Sequence, residues 1–325
     1  PATVPPNAIP AQCGRITPRM LPLASLTQAQ IDLIAAAVPG GMRNIQDIYP
    51  LAPLQEGILF HHLLQGESRG GGDAYVLPAL LRFDDRARLD RFVAALRQVV
   101  ARHDILRTAV QWEGLDTPVQ VVWRSAGLAL REHRFDPADG DVQAQLQARA
   151  DARTVRLDLR RAPMLQAHAA FDPVSQCWLL QLLHHHLTLD HTTTELILHE
   201  VVALLQGRGD SLPAPVPFRD FVARSRQGTS EAEHEAFFGA MLGDVDEPTA
   251  PFGLLDVQGD GSQVEQARAT LPPALSLRLR ALAMRHGVST ASIFHLAWAR
   301  VLASCSGRDD VVFGTVLFGR MQGGP

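Results

Sequence analysis

The chain has 325 residues, of which 46% are hydrophobic and 20% charged, and a formal net charge of −4. That is long enough for two subdomains with cores of their own, and the charge gives no basic footprint for nucleic acid or an anionic membrane. All 30 basic residues are arginine, which excludes Schiff-base and P-loop lysine chemistry. Cys13, Cys177 and Cys305 are few, odd in number and far apart, which argues against a disulfide framework and suits a reducing compartment. With no signal-like start and no bilayer-length apolar run, the expectation is a soluble, cytoplasmic protein.

Residues 1–24 are proline-rich without periodicity and read as a linker. Thr27 then caps a short helix, with Gln30 as capping-box partner and a stop at Pro39-Gly40-Gly41. A glycine-rich loop from Gly66 to Gly72 precedes a strand over 75–83. The apolar stripe Leu89, Phe92, Val93, Leu96, Val99 and Val100 predicts a helix over 87–102. Strands over 106–112 and 118–123 flank Glu113-Gly114-Leu115-Asp116 as a hairpin, and a helix is expected near 142–154. Strands over 163–171 and 177–183 lead into His184-His185-His186-Leu187-Thr188-Leu189-Asp190-His191. A capping box from Thr192 to Glu195 would then open a helix reaching Leu205. The prolines of 212–217 mark the clearest internal boundary. Beyond it, strands are expected over 265–271 and 310–316, and helices over 273–286 and 290–305.

Three histidines and an aspartate on a loop between a core strand and a helix start suit proton transfer near neutral pH. A metal site with His191 is disfavoured, because no cysteine or second carboxylate sits at ligand spacing. His168, His234 and His286 read as residues of solvated faces, and His103 as structural.

The pattern His-His-x-x-x-Asp is met only by His185, His186 and Asp190, and it resembles the His-His-x-x-x-Asp-Gly signature of nonribosomal peptide synthetase condensation domains. Here the glycine is His191, which either narrows the site or adds an imidazole. Pro50, Leu51, Gln55, Gly57 and Ile58 are similar to the family's opening box. Arg102-His103-Asp104-Ile105-Leu106-Arg107-Thr108 resembles its Arg-His-Glu-x-Leu-Arg-Thr box, with aspartate for glutamate. Phe218-Arg219-Asp220-Phe221 resembles a Tyr-x-Asp-Tyr box, and the stretch from Asp310 to Arg320 is again family-like.

The resemblance implies an α/β (α+β) fold of two chloramphenicol acetyltransferase-like lobes in a V-shaped pseudo-dimer. It would place a linker following a carrier protein at 1–24, the first lobe at 25–211 and an incomplete second lobe at 212–325. It implies peptide-bond formation between thioesters on upstream and downstream peptidyl carrier domains, beside an adenylation domain. The 4′-phosphopantetheine arms belong to those carriers, and neither an intrinsic cofactor nor a metal is expected. His186 would contact the attacking amine, with His185 and Asp190 shaping the loop, Arg107 and Arg320 as partners of the aspartate, and His184 and His191 near the site. His61-His62-Leu63 followed by Gly72-Asp73 resembles the extra motif of a subtype that also epimerises the donor, although the Gly-Asp pair falls four residues late. A dual epimerisation and condensation domain is therefore expected ahead of a plain condensation domain. An epimerisation-only domain and a non-catalytic recruitment platform are the rivals.

Overall fold

The computed structural model describes residues 4–66, 72–151, 154–226, 230–254, 265 and 267–315. They form two compact units, one holding the described residues up to 226 and the other those from 230 to 315.

In chain order, the first unit contains α1 (Gln28–Ala37), β1 (Ile45–Pro50), α2 (Pro53–Gly66), β2 (Val76–Phe83), α3 (Arg86–Arg102) and β3 (Thr108–Gln111). There follow β4 (Val119–Trp123), β5 (Leu130–His133), α4 (Val142–Arg149), β6 (Leu165–Asp172), β7 (Cys177–His185), α5 (His191–Leu205) and α6 (Phe218–Arg226). The expected capping box of Thr27 and Gln30 opens α1, and Gly40 takes the positive φ of 86° that follows its end.

Two sheets result. A small one has the order β1-β4-β3, all antiparallel, and includes the expected hairpin. The larger has the order β2-β7-β6-β5, antiparallel except for the parallel pair β5 and β6. Strand β7 is apolar on both faces because both are covered. Leu180 and Leu182 pack with the α3 stripe and with Ile197 and Val201 of α5. Leu179 and Cys177 pack on Val142 and Leu146 of α4, and Leu183 on Val76 and Leu157. Alternation along this strand therefore sends neighbouring histidines at its end to opposite faces.

Two domain expectations need correction. The stretch read as a linker is packed: Ile9, Cys13, Ile16 and Leu21 are buried with Ile31, Ile34, Ile45 and Val121. Single apolar residues spaced between prolines fill a groove without showing a period. The first unit also continues past 211, because α6 is tied to it. Arg219 Nη1 lies 3.2 Å from Asp47 Oδ2, Phe218 N–H donates to the Asp104 carboxylate at 3.0 Å, and Arg226 Nη1 donates to Leu51 O at 2.6 Å.

The second unit contains α7 (Glu231–Leu242), α8 (Pro273–His286) and α9 (Thr290–Ser306), so both expected helices are present. The expected strands over 265–271 and 310–316 are not formed among their described residues. A strand needs a ladder partner, and Val312 N–H instead donates to the Thr249 hydroxyl at 2.8 Å. No described helix is long and apolar enough to cross a membrane.

Candidate active site

The register of β2 on β7 builds the site. Val76 lies opposite His185, so the turn before β2 is carried to the end of β7, where the histidines begin. Asp73 opens that turn: its carbonyl accepts from Val76 N–H at 3.0 Å, and its Oδ1 from Tyr75 N–H at 3.0 Å. The Tyr75 carbonyl in turn accepts from His186 N–H at 2.8 Å.

The centre is a buried carboxylate shared by two rings. Asp73 Oδ2 is 2.5 Å from His62 Nδ1 and 2.9 Å from His185 Nε2. Burial alone would raise the Asp73 carboxyl. The hydrogen bonds from His185 and His62, and that from Tyr75 N–H, outweigh it and hold the group well below the usual carboxylate range. His185 is fully buried, and burial pushes it down, so its ring is neutral beside an ionised Asp73. An ionised carboxylate only accepts, so both facing ring nitrogens must be N–H donors. His185 Nδ1 is thereby an acceptor, and Leu187 N–H donates to it at 3.1 Å. The His62 ring takes the opposite tautomer, and its lone pair when neutral is on Nε2.

The loop beyond is held in a defined shape. His186 is half-buried, and its Nδ1–H donates to Leu189 O at 2.7 Å. In the neutral ring this leaves the lone pair on Nε2. Gln55 of α2, 3% exposed, donates to Leu187 O at 3.0 Å and accepts from Ala52 N–H at 2.9 Å. The opening box therefore reaches the histidine loop through a buried amide. Arg156 secures the other end of α2 by donating to the His62 carbonyl.

Asp190 closes the loop by starting the helix that follows it. It caps α5, with Oδ1 accepting from Thr193 N–H at 2.8 Å and from the Thr193 hydroxyl at 2.5 Å. The cap therefore lies two residues before Thr192. Arg107 does not pair with Asp190: it is buried and donates to the Ala101 and Trp123 carbonyls and to Gln46 Oε1. Arg320, the other expected partner, lies outside the described residues.

His184 is buried on the opposite face of β7 from His185, and burial, then His186 and His185, push it down to about 4. His191, at the first position of α5, is exposed and sits 3.2 Å from Glu195 Oε1 one turn on. It is not part of the buried centre. His61 is exposed beside Phe60 and Tyr75, so the doublet of α2 splits into one surface ring and one buried ring. His168, expected on a solvated face, is buried on β6 and stacked on His133.

His62 Nδ1, Asp73 Oδ2 and His185 Nε2 lie within 4.8 Å of one another, as ligands of a metal ion would. The hydrogen bonds oppose that use. His185 Nε2 carries a proton because Nδ1 accepts one from Leu187, and 2.5 and 2.9 Å are hydrogen-bond separations. Ligands on a tetrahedral zinc ion, each about 2.1 Å from it, stand about 3.4 Å apart. The donor set fits proton handling better than metal ligation.

Gln55 and Asp73 were visible only as positions inside motifs, and Arg156 carried no signal at all. Partner identity across the turn depends on the β2–β7 register, which no local pattern states.

A family model described as Condensation domain matches residues 45–324. The chain is 53% identical over 319 residues to malpinin synthetase of Mortierella alpina, and 51% identical over 320 residues to malpibaldin synthetase of the same organism. Each match covers 98% of this chain but only 4% and 6% of those relatives, so the chain spans a small part of their length. It is 30% identical over 319 residues to a linear gramicidin synthase of Brevibacillus parabrevis, covering 95% of this chain and 6% of that protein. Among solved structures, the starter condensation domain of rhizomide synthetase RzmA matches with a TM-score of 0.59 at 21% identity, over 84% of this chain and 62% of that one. The condensation domain of the monacolin K polyketide synthase MokA matches with a TM-score of 0.58 at 19% identity, over 81% and 61%. These structural likenesses establish the mixed α/β fold. The family model and the sequence relatives together carry the assignment: this chain belongs to the condensation-domain family.

Proposed function

We propose that the chain forms a peptide bond between a donor acyl or peptidyl thioester and an acceptor aminoacyl thioester, each held by a carrier protein through a phosphopantetheine arm. The observation that carries this reading is the oriented ring of His186. Its Nδ1–H is committed to Leu189 O, so the neutral ring presents its lone pair at Nε2, at the end of a strand buried on both faces. The acceptor amine attacks the donor carbonyl, its surplus proton passes to His186 Nε2, and the thiolate leaves with the C–S electron pair and takes the proton back. In this reading His185 and Asp190 shape the loop, one through Leu187 and the other by capping α5. An adjacent adenylation domain would load the acceptor carrier.

Inversion of the donor α-carbon before condensation is the second part of the proposal. The Gly-Asp pair falls late for the extra motif, yet Asp73 reaches His62 at 2.5 Å. A longer loop that still delivers its aspartate to the histidine supports the same use of both residues.

The test uses the full-length protein, an L-aminoacyl donor carrier and a loaded acceptor carrier in D2O. Dipeptide with deuterium at the donor α-carbon is the expected product. Dipeptide without deuterium removes the inversion step, and deuterium without dipeptide reverses the reading in favour of epimerisation alone. Neither product favours a recruitment platform.

A further inference from the structure

We propose that the buried amide pair of Gln55 and Gln120 is the positioning device that aims His186 for amide formation, with Gln55 acting on the histidine loop through the Leu187 carbonyl. This rests on the amide-forming reading above and adds to it two residues that work through the loop rather than on the substrate. Gln120 stands in none of the family-like boxes. It lies on β4, the central strand of the small sheet, opposite Tyr49 and Val110, and is 1% exposed.

The two carboxamides are joined reciprocally. Gln55 Nε2 donates to Gln120 Oε1 at 3.1 Å, and Gln120 Nε2 donates to Gln55 Oε1 at 2.9 Å. Gln120 Nε2 also donates to Pro50 O at 3.1 Å, and Gln55 Nε2 to Leu187 O at 3.0 Å. Gln55 Oε1 accepts Ala52 N–H as well, at 2.9 Å. Both amino groups thereby use both of their protons, which is what a buried carboxamide needs. The orientation is fixed too. Turning the Gln55 amide over would set its NH2 against Ala52 N–H and its oxygen against the Leu187 carbonyl. The pair is anchored on β4 and on the chain between β1 and α2, and the bond to Leu187 carries that anchorage to the histidine loop.

Leu187 is where this matters for His186. Its N–H donates to His185 Nδ1 at 3.1 Å and its carbonyl accepts from Gln55, so the backbone is held on both sides of the residue. Thr188 and Leu189 N–H donate to His185 O at 3.1 and 3.3 Å, which closes the turn on itself, and Leu189 O then accepts His186 Nδ1–H. Those bonds shape the turn, whereas Gln55 fixes it to the body of the unit. The Leu187 side chain is buried among Leu51, Ile58, Leu59 and Met164, but apolar packing is non-directional and does not set the rotation of a peptide plane. Without the Gln55 donor the turn is free to rotate, and Leu189 O moves relative to the ring it orients. A displacement of about 1 Å is enough to cost about 100-fold in rate.

The experiment is single-turnover amide formation by the full-length protein with both carriers loaded. Gln55→Met keeps the side-chain length without the donor. It should slow bond formation ~100-fold at saturating carriers and leave the half-saturating carrier concentration unchanged. Gln120→Met leaves Gln55 its bonds to Leu187 and Ala52, so its loss should be smaller, ~10-fold. Gln111→Met, at another buried glutamine of the same sheet, removes a bond to Arg160 O and should keep the parent rate. Gln55→Glu separates positioning from packing. A carboxylate cannot donate to Leu187 O and a protonated carboxyl can, so its rate relative to the parent should climb as pH falls, while that of Gln55→Met stays flat. Parent-rate bond formation in Gln55→Met, Gln55→Glu as slow as Gln55→Met at every pH, or an equal loss in Gln111→Met would reduce the pair to packing and overturn the proposal. No dipeptide from the unsubstituted protein would instead sink the amide-forming reading itself.

Discussion

Among its described residues the first unit holds two close imidazole pairs, with His133 half-buried and the other three rings buried, and they are built in opposite ways. His62 and His185 meet through Asp73, with ring centroids 5.7 Å apart and nearly perpendicular. His133 and His168 meet directly, stacked at 5.2 Å with His133 Nε2 3.0 Å from His168 Nδ1. The second pair has no carboxylate bound to it among the described residues; Gln166 Oε1 accepts from His168 Nε2 at 3.1 Å. Burial, then His133, Arg131 and Arg149, push His168 down to about 4, and burial followed by the two arginines lowers His133. One pair therefore disfavours protonation and serves as packing, whereas the other surrounds an anion that sets the tautomer of each ring. A buried histidine becomes useful for chemistry when an acid decides which nitrogen keeps its proton.

The largest expected effect comes from removing that acid. Asp73→Ala leaves two buried N–H donors without a partner and should cost about 3 kcal/mol of folding stability, read as a lowered urea midpoint at unchanged slope. A change within experimental error would mean that the rings do not depend on the carboxylate.

The lowered histidines should make the protein acid-sensitive. A histidine whose folded value is depressed gives stability that is present above the unfolded value near 6.5 and is lost as pH falls toward the folded value. His168 and His184, both at about 4, place that loss between about pH 6.5 and pH 4. Replacing both members of the stacked pair, His133→Leu with His168→Leu, should flatten part of this decline in chemical denaturation. An unchanged pH dependence would contradict the assignment.

Asp47 sharpens the contrast between acids. Burial raises it to about 6, and Arg219 at 3.2 Å only partly offsets that. A carboxyl raised in the folded state gives stability that is complete below its unfolded value and is lost as pH rises through about 6. Asp47→Asn should therefore gain stability relative to the parent above pH 6 and lose that advantage below pH 4. The reverse order would show that the Arg219 pair outweighs burial.

The smallest effect is expected at His191, which stands where the family motif has glycine. Its ring is exposed and paired with Glu195, so His191→Gln should change stability by no more than about 0.5 kcal/mol and leave amide formation near the parent rate. A large loss of rate would place this ring in the site.

Much of this frame is legible in the sequence. The capping box of α1, the α3 stripe, the hairpin and the apolar run of β7 each carry a local period, and each formed. What could not be read depends on partners distant in sequence. The buried pairing of His168 needs β5 beside β6, and a four-residue strand such as β5 shows no period of its own. Asp73 needs the β2–β7 register, and Asp190 could be seen in the motif but not recognised as the cap that displaced Thr192. The proline-rich start looked like linker because its buried residues, Ile9, Cys13 and Ile16, follow no repeat.

The most direct measurement is single-turnover dipeptide formation by the full-length protein with both carriers loaded, comparing His186→Ala with the parent. Loss of the ring that holds its lone pair at Nε2 should slow bond formation by ~100-fold or more, with donor-carrier binding unchanged. Product formed by His186→Ala at the parent rate would contradict the central role given to that imidazole.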